Sequence, residues 1–545
     1  MRIDNKDYCY ILIVTTKNET KKANLIFSHS KPIERTRIMK KIILTFCFAL
    51  ILGQQIFAST KINSDKFYRV KKEFHKTITL EKSIPLHVYH SLGNIKIIPS
   101  KNNQLTIDAL IEVASKSKEK ATEYIESVTI DVQERLTHIK ISSDFPREKG
   151  IRSISINFSM RVPEKCPLDL KNSFGDIDIG ETEGMKGGMN IENAHGEVFL
   201  TLCEGEAYLV NKFGSVKIMT HKGDLDIECA NSKVETSKIK GNLTVENTFG
   251  KVAADQIEGD VKISNSNDQV SVSEVKGQLD LRNSFGEIQI MNVKKGAFIK
   301  GTNCNIQTDN ITGDTKIYNS FGSIESKMIN GDLMIDTQNS KINAADINGD
   351  VTIDNSFAAV NLQNIEGKVN IKNPNGNITA VSIKSDVLIR STFSNISLKE
   401  ISGSVEVHNT NGSVTGTTID GNVDTENTFG PVKFDNIKGN IRIDNGNGSI
   451  RLANIAVMLS GGMKKEAYCE RIDCSTSFGS IQLTLPKQAS VEINAKTTWG
   501  KIDSELPLQI EEFYTSDNLV GKVGNGDTII NLIGKNSNIY LISEK

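Results

Sequence analysis

Aliphatic and polar residues repeat along this chain with a period of 18 residues, and every second unit carries an aromatic residue. An asparagine stands halfway between neighbouring phenylalanines, and three residues after each of these positions comes valine or isoleucine, in every unit from His195 to Asn447. Aliphatic residues two positions apart are typical of β-strands, so each unit predicts two short strands joined by tight turns. The phenylalanines recur every 36 residues, at Phe213, Phe249, Phe285, Phe321, Phe357, Phe393 and Phe429.

No single unit can bury its aliphatic side chains, so the units must stack and align equivalent positions in ladders. The pattern predicts an all-β, parallel two-sheet β-solenoid with 18-residue coils paired into 36-residue repeats. We expect the phenylalanine of each Asn-Ser-Phe-Gly turn to plug the core. The glycine ten residues later is expected to supply a positive φ. The asparagines two residues before this position are expected to hydrogen-bond from coil to coil, as at Asn247, Asn265 and Asn283.

The regions that flank the repeat predict covers for its ends, since exposed end strands would pair with other chains. Residues 60–165 predict an N-terminal β-rich cap with one helix in 115–128. The solenoid follows at 166–455, an insertion loop at 456–475, and the terminal coils with a C-terminal cap at 476–545. Trp499 is expected to take the aromatic position of the last coil, followed by closing strands.

A secretory signal peptide is predicted at residues 39–58. Two lysines precede an apolar run at 42–52, and Ala58 is the small residue before the predicted cut. The run is too short to span a bilayer, so we expect export to the periplasm, the cell surface or the medium. Residues 1–38 are interpreted as an extension produced by a start-site error; the alternative is an N-terminal region that precedes an anchor.

The charge and cysteine content narrow the class of protein. Lysine and arginine total 65 against 66 acidic residues, a net charge of −1, which gives no field that would attract nucleic acid. Six cysteines follow the predicted cleavage site. In an exported chain Cys469 and Cys474 are candidates for a disulfide. The other four are expected to be small buried hydrophobes: Cys166, Cys203, Cys229 and Cys304.

Few residues are candidates for chemistry, and no catalytic residue or cofactor is predicted. Asp314, Asp332 and Asp350 occupy consecutive coils, where clustered carboxylates are weak candidates for a calcium site. Capping of the turn by each aspartate is the favoured interpretation. His221 and His195 replace an aliphatic and an aromatic residue of the repeat, and both are expected to be core or near-edge histidines.

The passage from Pro163 to Ile179, with its Asn-Ser-Phe-Gly-Asp-Ile-Asp-Ile segment, resembles the bacterial adhesin-like domains of unknown function, also called toastrack β-solenoids. The resemblance covers about 80–545. It implies a non-enzymatic envelope or surface protein with a structural or binding role, whose partner is an envelope protein or a surface glycan. Envelope-stress sensing and a polysaccharide-active enzyme remain as alternatives. No nucleic-acid partner and no transmembrane segment are expected, and the oligomeric state is left open.

Overall fold

The computed structural model describes residues 12–16, 19–23, 67–461, 468–508, 510–513 and 516–544. The chain divides into two units, Met1–Phe67 and Tyr68–Lys545. In the first, β1 (Leu12–Thr16) and β2 (Glu19–Ala23) form an antiparallel pair. They lie in the segment interpreted as a start-site extension. The predicted signal peptide at 39–58 lies outside the described residues.

The second unit is a stack of parallel β-coils, which confirms the predicted β-solenoid. Residue i of one coil pairs with residue i+18 of the next, as Leu243 does with Val261 and Val252 with Val270. In chain order the strands of the repeated coils are β10 (Leu168–Phe174), β11 (Ile177–Ile179), β12 (Met189–His195), β13 (Val198–Glu204), β14 (Ala207–Lys222), β15 (Leu225–Lys240), β16 (Leu243–Phe249), β17 (Val252–Ile257), β18 (Val261–Asn267), β19 (Val270–Val275), β20 (Leu279–Val293), β21 (Ala297–Thr312), β22 (Thr315–Asn330), β23 (Leu333–Ile347), β24 (Val351–Asp354), β25 (Val360–Ile365), β26 (Val369–Lys372), β27 (Ile378–Ile383), β28 (Val387–Arg390), β29 (Ile396–Ile401), β30 (Val405–Asn411), β31 (Val414–Ile419), β32 (Val423–Phe429), β33 (Val432–Ile437), β34 (Ile441–Asn445) and β35 (Ile450–Ala453).

Five positions of each coil face the interior, and their side chains form the core. In the coil of β16 and β17 these are Leu243, Val245, Val252, Ala254 and Ile257, all buried. Because the register repeats without a shift, each side chain packs on its equivalents above and below, about 4.8 Å away. The core is therefore a set of parallel columns.

Two backbone features make the coil close on itself. The residue two before each buried isoleucine or valine of the Ile257 column is usually not glycine, but the residue directly before it adopts a left-handed conformation, as in Gln256 (φ 57°). The repeated glycine, such as Gly259, mostly has no such φ. A Cβ there would lie 2.4 Å from the carbonyl oxygen of Gly241. The prediction that this glycine supplies a positive φ is therefore wrong for most coils; it allows neighbouring turns to approach closely.

The N-terminal region covers the first coils with antiparallel strands and one helix, as predicted. The helix α1 (Lys118–Ser127) is capped by Ser117, whose Oγ accepts a hydrogen bond from Lys120 N at 3.1 Å. The first coil, β4 with β5, already lies within 60–165: it pairs in parallel with β10 and β11 on one side and with β8 and β9 on the other. The strands are β3 (Tyr68–Thr79), β4 (Leu86–Tyr89), β5 (Ile95–Ser100), β6 (Gln104–Ser115), β7 (Thr129–Glu134), β8 (Ile139–Asp144) and β9 (Ile151–Pro163).

The C-terminal coils do not follow chain order. The coil of β42 and β43 lies between the coil of β36 and β37 and the coil of β38 and β39, which carries Trp499; β41 and β40 then pair antiparallel beyond β38. The tail strands β42 and β43 therefore form an internal coil and not the closing element that the sequence predicts. The strands are β36 (Arg471–Thr476), β37 (Ile481–Leu485), β38 (Val491–Thr498), β39 (Ile502–Ser504), β40 (Ile510–Phe513), β41 (Ser516–Val523), β42 (Thr528–Gly534) and β43 (Ile539–Ser543).

Candidate functional site

A row of exposed aromatic rings and amides runs along one edge of the solenoid, where each first strand turns into the second. We call it the aromatic–asparagine edge. Phe249 pairs with Asn231 in the coil before and with Asn267 in the coil after, and this alternation continues through the repeat. The edge comprises Phe174, His195, Phe213, Asn231, Phe249, Asn267, Phe285, Asn303, Phe321, Asn339, Phe357, Asn375, Phe393, Asn411, Phe429, Asn447, Phe478, Asn536 and Trp499.

The repeat phenylalanines point outward. The rings from Phe213 to Phe429 are 46–61% exposed, so the prediction that they plug the core is wrong. The inward alternation of the first strand ends at the asparagine two residues earlier, because the chain begins to turn there. In Phe249 the ring is therefore turned out of the core, while Asn247 stays buried beneath the turn.

The buried asparagines hold the turn from inside. Asn247 Nδ2 donates to the carbonyl oxygens of Ser232, in the preceding coil, and of Gly250, at 3.0 and 3.1 Å. Asn283 Nδ2 makes equivalent bonds to Asp268 O at 3.0 Å and Phe285 O at 2.9 Å. Each side chain thus joins two coils through turn carbonyls, whereas the sequence suggested bonds between the asparagines themselves.

At the N-terminal end of the edge the alternation gives way to a continuous stack of rings. The rings of Phe174 and His195 are 4.7 Å apart between centroids and nearly parallel, and His195 lies 4.9 Å from Phe213 in the same manner. His195 is exposed and belongs to the edge, so the prediction of a core or near-edge histidine is correct only in its second part. The three rings form an exposed aromatic column.

At the C-terminal end the alternation is preserved in space although it is absent from the chain order. Thr476 pairs with Gly534, and Gly534 pairs with Thr497. Two residues further on, the same register aligns Phe478 with Asn536 and Asn536 with Trp499. The inserted coil thus supplies the asparagine that belongs between two aromatic residues.

The opposite edge of the solenoid contains a groove of about 810 Å³. Left-handed residues such as Leu202 and Thr220 line it, with charged residues one or two positions further along. Part of this charge is neutralised between coils, since Lys276 pairs with Glu258 at 3.2 Å. The predicted core histidine, His221, lies buried in the wall of this groove.

The acidic residues after the repeated glycine cap backbone groups. Asp314 Oδ1 accepts a hydrogen bond from Asp332 N at 3.1 Å, Asp332 Oδ1 from Asp350 N at 2.9 Å, and Asp350 Oδ1 from Lys368 N at 2.7 Å. This arrangement is the turn-capping that the sequence favours. Within the part of the chain that the structure describes, no three histidine, cysteine, aspartate or glutamate side chains are arranged to hold a metal ion.

The six cysteines of the second unit are free thiols, so the structure does not contain the suggested Cys469–Cys474 disulfide. Both of these residues are buried. Cys469 Sγ donates to Arg471 O at 3.3 Å, and burial raises the pKa of its thiol to about 12. Neither thiol is therefore a ready nucleophile at neutral pH.

Comparison with known proteins identifies the repeat. Residues 363–541 match the family model described as Toastrack DUF4097. The chain contains a toastrack DUF4097 domain. A search of curated proteins found no match. Among the residues described around the toastrack domain and elsewhere, no helix is both long and apolar enough to cross a membrane.

Solved structures similar to this toastrack chain include three named as candidate adhesion proteins. One is from Clostridium sporogenes ATCC 15579, with 10% identity, a TM-score of 0.16, and coverage of 44% of this chain and 100% of its own. Another is from Parabacteroides distasonis ATCC 8503, with 13% identity, a TM-score of 0.17, and coverage of 56% and 97%. The third is from Bacteroides fragilis NCTC 9343, with 14% identity, a TM-score of 0.16, and coverage of 55% and 97%.

Sequence reasoning missed the exposure of the edge, although a signal for it was present. The interior columns are aliphatic in successive coils, with a period of 18 residues. The edge position alternates phenylalanine with asparagine, with a period of 36. A core column has to be filled in each coil, so a position that accepts asparagine in every second coil is better placed in solvent.

Proposed function

We propose that this chain is an exported, non-enzymatic binding scaffold of the cell envelope or surface, and that the aromatic–asparagine edge binds a surface glycan. The observation that carries the proposal is the row of half-exposed rings from Phe174 to Trp499. Contiguous exposed apolar surface on a folded protein commonly marks an interaction site. Here the rings are held in fixed register by the stacked coils.

The spacing of the rings supports a polymeric ligand. Rings in the repeat are two coils apart, about 9.6 Å, which is twice the spacing of stacked strands. They are separated by exposed amides. An aromatic ring packs against the C–H groups of a sugar, and an amide can hydrogen-bond its hydroxyls. A polysaccharide repeats both features at a constant interval, whereas the surface of a globular protein does not.

The roles of the carboxylates support a scaffold and not a glycosidase. A glycosidase places two carboxyl groups on either side of the bond that it cleaves. Asp314, Asp332 and Asp350, the acids singled out in the sequence, each accept a backbone N–H from the following coil. Their protonation and position are tied to the turn, which leaves them a structural role.

The test is co-sedimentation of the exported chain, residues 59–545, with purified wall polysaccharide and with envelope fractions of the producing cell. A ring variant carries Phe285→Ser, Phe321→Ser and Phe357→Ser. A control variant carries Lys262→Ser, Lys316→Ser and Met334→Ser, three exposed positions on the first strands. We expect saturable pelleting with polysaccharide that the ring variant loses and the control retains, without new reducing sugar ends.

Three outcomes would contradict the proposal at different points. Pelleting that the ring variant retains would remove the edge as the binding surface. Pelleting only with envelope fractions, abolished by protease treatment of those fractions, would identify a protein partner in place of a glycan. New sugar ends in the same tubes would overturn the non-enzymatic role, and recovery of the chain only in the cytosol would overturn export.

A further inference from the structure

One interior column changes its chemistry in three consecutive coils. The column lies eight residues after the edge position and holds isoleucine or valine from Ile239 onward. Its preceding members are Cys203 and His221, which pair directly with each other, while His221 pairs with Ile239. Both Cys203 and His221 are 1% exposed.

Met185 is the member of this column before Cys203. In the regular coils, the N–H that follows the column residue donates to the column residue of the preceding coil, as Glu258 N does to Ile239 O. Glu204 N makes the same bond to Met185 O. The Met185 side chain is fully buried. A thioether, a thiol and an imidazole therefore occupy three successive positions of one buried column.

The imidazole of His221 lacks the partners that a buried histidine usually has. Neither ring nitrogen makes a hydrogen bond of normal geometry, although backbone groups of Gly205 and Asp224 lie nearby. Burial lowers the pKa of the ring, so it is neutral and has a free lone pair at neutral pH. An unsatisfied polar group in the core is unfavourable, and the isoleucine of later coils would avoid that cost. A ligand on this nitrogen would offset it.

Donors of this type select a particular metal. Thiolate and thioether sulfur are soft ligands that favour Cu(I), and imidazole is compatible with copper. Neighbouring coils are about 4.8 Å apart, so donor atoms from successive coils can converge on one ion. We propose that Met185, Cys203 and His221 form a binding site for one Cu(I) ion.

Charge and access are consistent with such a site. On binding, the Cys203 S–H bond breaks, its proton leaves to solvent, and the thiolate bonds to the ion. The thiolate and Cu(I) together carry no net charge, which suits a buried position. The groove of about 810 Å³ at this edge is lined by both Cys203 and His221 and gives a route from solvent.

The set escapes a search for the usual metal clusters because it holds only two residues of the histidine, cysteine and acid classes. The third donor is a methionine that the sequence repeat does not reveal. Met185 lies in an irregular segment between β11 and β12, outside the strict 18-residue register. Only the hydrogen bond from Glu204 N places it in the column.

The test is anaerobic titration of the exported chain with Cu(I) against a chromophoric Cu(I) chelator. We expect one Cu(I) per chain, with thiolate-to-copper absorption in the ultraviolet. Cys203→Val and His221→Ile should each weaken binding at least tenfold. Both restore residues typical of the column, and His221→Ile should melt at or above the parent temperature, which excludes misfolding as the cause of lost binding.

Cys304→Val is the matched control, since Cys304 is a buried thiol in a different column. It should bind copper as the parent does. The proposal fails if the parent does not compete with the chelator, if Cys203→Val and His221→Ile both bind normally, or if Cys304→Val weakens binding equally. It also fails if Zn²⁺ binds in a manner that requires Cys203 and His221 while Cu(I) does not.

Discussion

The interior columns and the aromatic–asparagine edge run along the same stack of coils, but they obey different rules. An interior column such as that of Val252 repeats every 18 residues and excludes polar groups almost completely. The edge repeats every 36 residues and alternates a ring with an amide. The difference shows that the period of a column reports its environment: packing demands a similar residue in each coil, whereas solvent permits alternation.

The largest effect is expected from a charge placed in an interior column. Val252 is fully buried between Val234 and Val270, its partners in the coils above and below. Val252→Asp would bury a carboxylate without a partner, which costs several kcal/mol. We expect loss of cooperative thermal unfolding by circular dichroism.

Thr352→Asp is the control for this substitution. Thr352 is exposed, and its paired neighbours Met334 and Asn370 carry no charge. This variant should melt within a few degrees of the parent. Equal melting of Val252→Asp and the parent would show that the Val252 column does not face the core.

Acidification should destabilise the N-terminal end of the stack. His90 takes the buried position that asparagine holds in later coils, since its neighbour Tyr89 pairs with Lys171 and Asn172 follows. Its Nδ1 lies 2.9 Å from Ser143 Oγ, and its ring packs edge-on against Phe158. Burial lowers the pKa of His90 from 6.5 to about 4.

The unfolded chain therefore binds this proton more tightly than the folded chain. The stability is fully present above pH 6.5 and falls as the pH is lowered toward 4, by up to about 3 kcal/mol. His90→Asn should reduce the pH dependence of unfolding by urea in this window. An unchanged slope in that variant would assign the acid sensitivity to other groups.

Much of this architecture could be predicted from the sequence because each coil repeats the same physical requirement. The aliphatic columns define the coil length, and the helix at 118–127 follows from its cap and composition. The place of β42 and β43 could not be predicted in this way. Their aliphatic pattern fits any position in the stack, so only pairing between distant strands decides the order.

The candidate sites were harder to predict for a related reason. Strand alternation continued through the turn would put Phe249 inside, and only the turn geometry around Gly250 (φ 115°) reverses it. Met185 lies outside the regular spacing, so its column is visible only in the structure. Local pattern identifies repeated environments, but it does not identify the exceptions in which function is proposed.

A substitution of the close-packed glycines tests the contact between turns. A Cβ on Gly349 would lie 2.4 Å from the carbonyl oxygen of Gly331. Because that atom is backbone, neighbouring coils would have to move apart, and we expect Gly349→Ala to cost about 1–3 kcal/mol. Gly188→Ala is the control, since its Cβ would meet only Glu206 O, at 3.8 Å. Equal destabilisation of the two variants in urea would show that close approach of the turns is not the reason for glycine.

The smallest effect is expected at the edge. Phe321 lies between Asn303 and Asn339 and is about half exposed, so Phe321→Ser removes little buried surface. We expect a change of about 1 kcal/mol or less in the free energy of unfolding, measured in urea. Phe434→Ala is the matched control, because that ring is fully buried above Gly416 and its loss should cost about 3–5 kcal/mol. If the two phenylalanines proved equally important for stability, the edge rings would be structural and the reason to regard them as a binding surface would be lost.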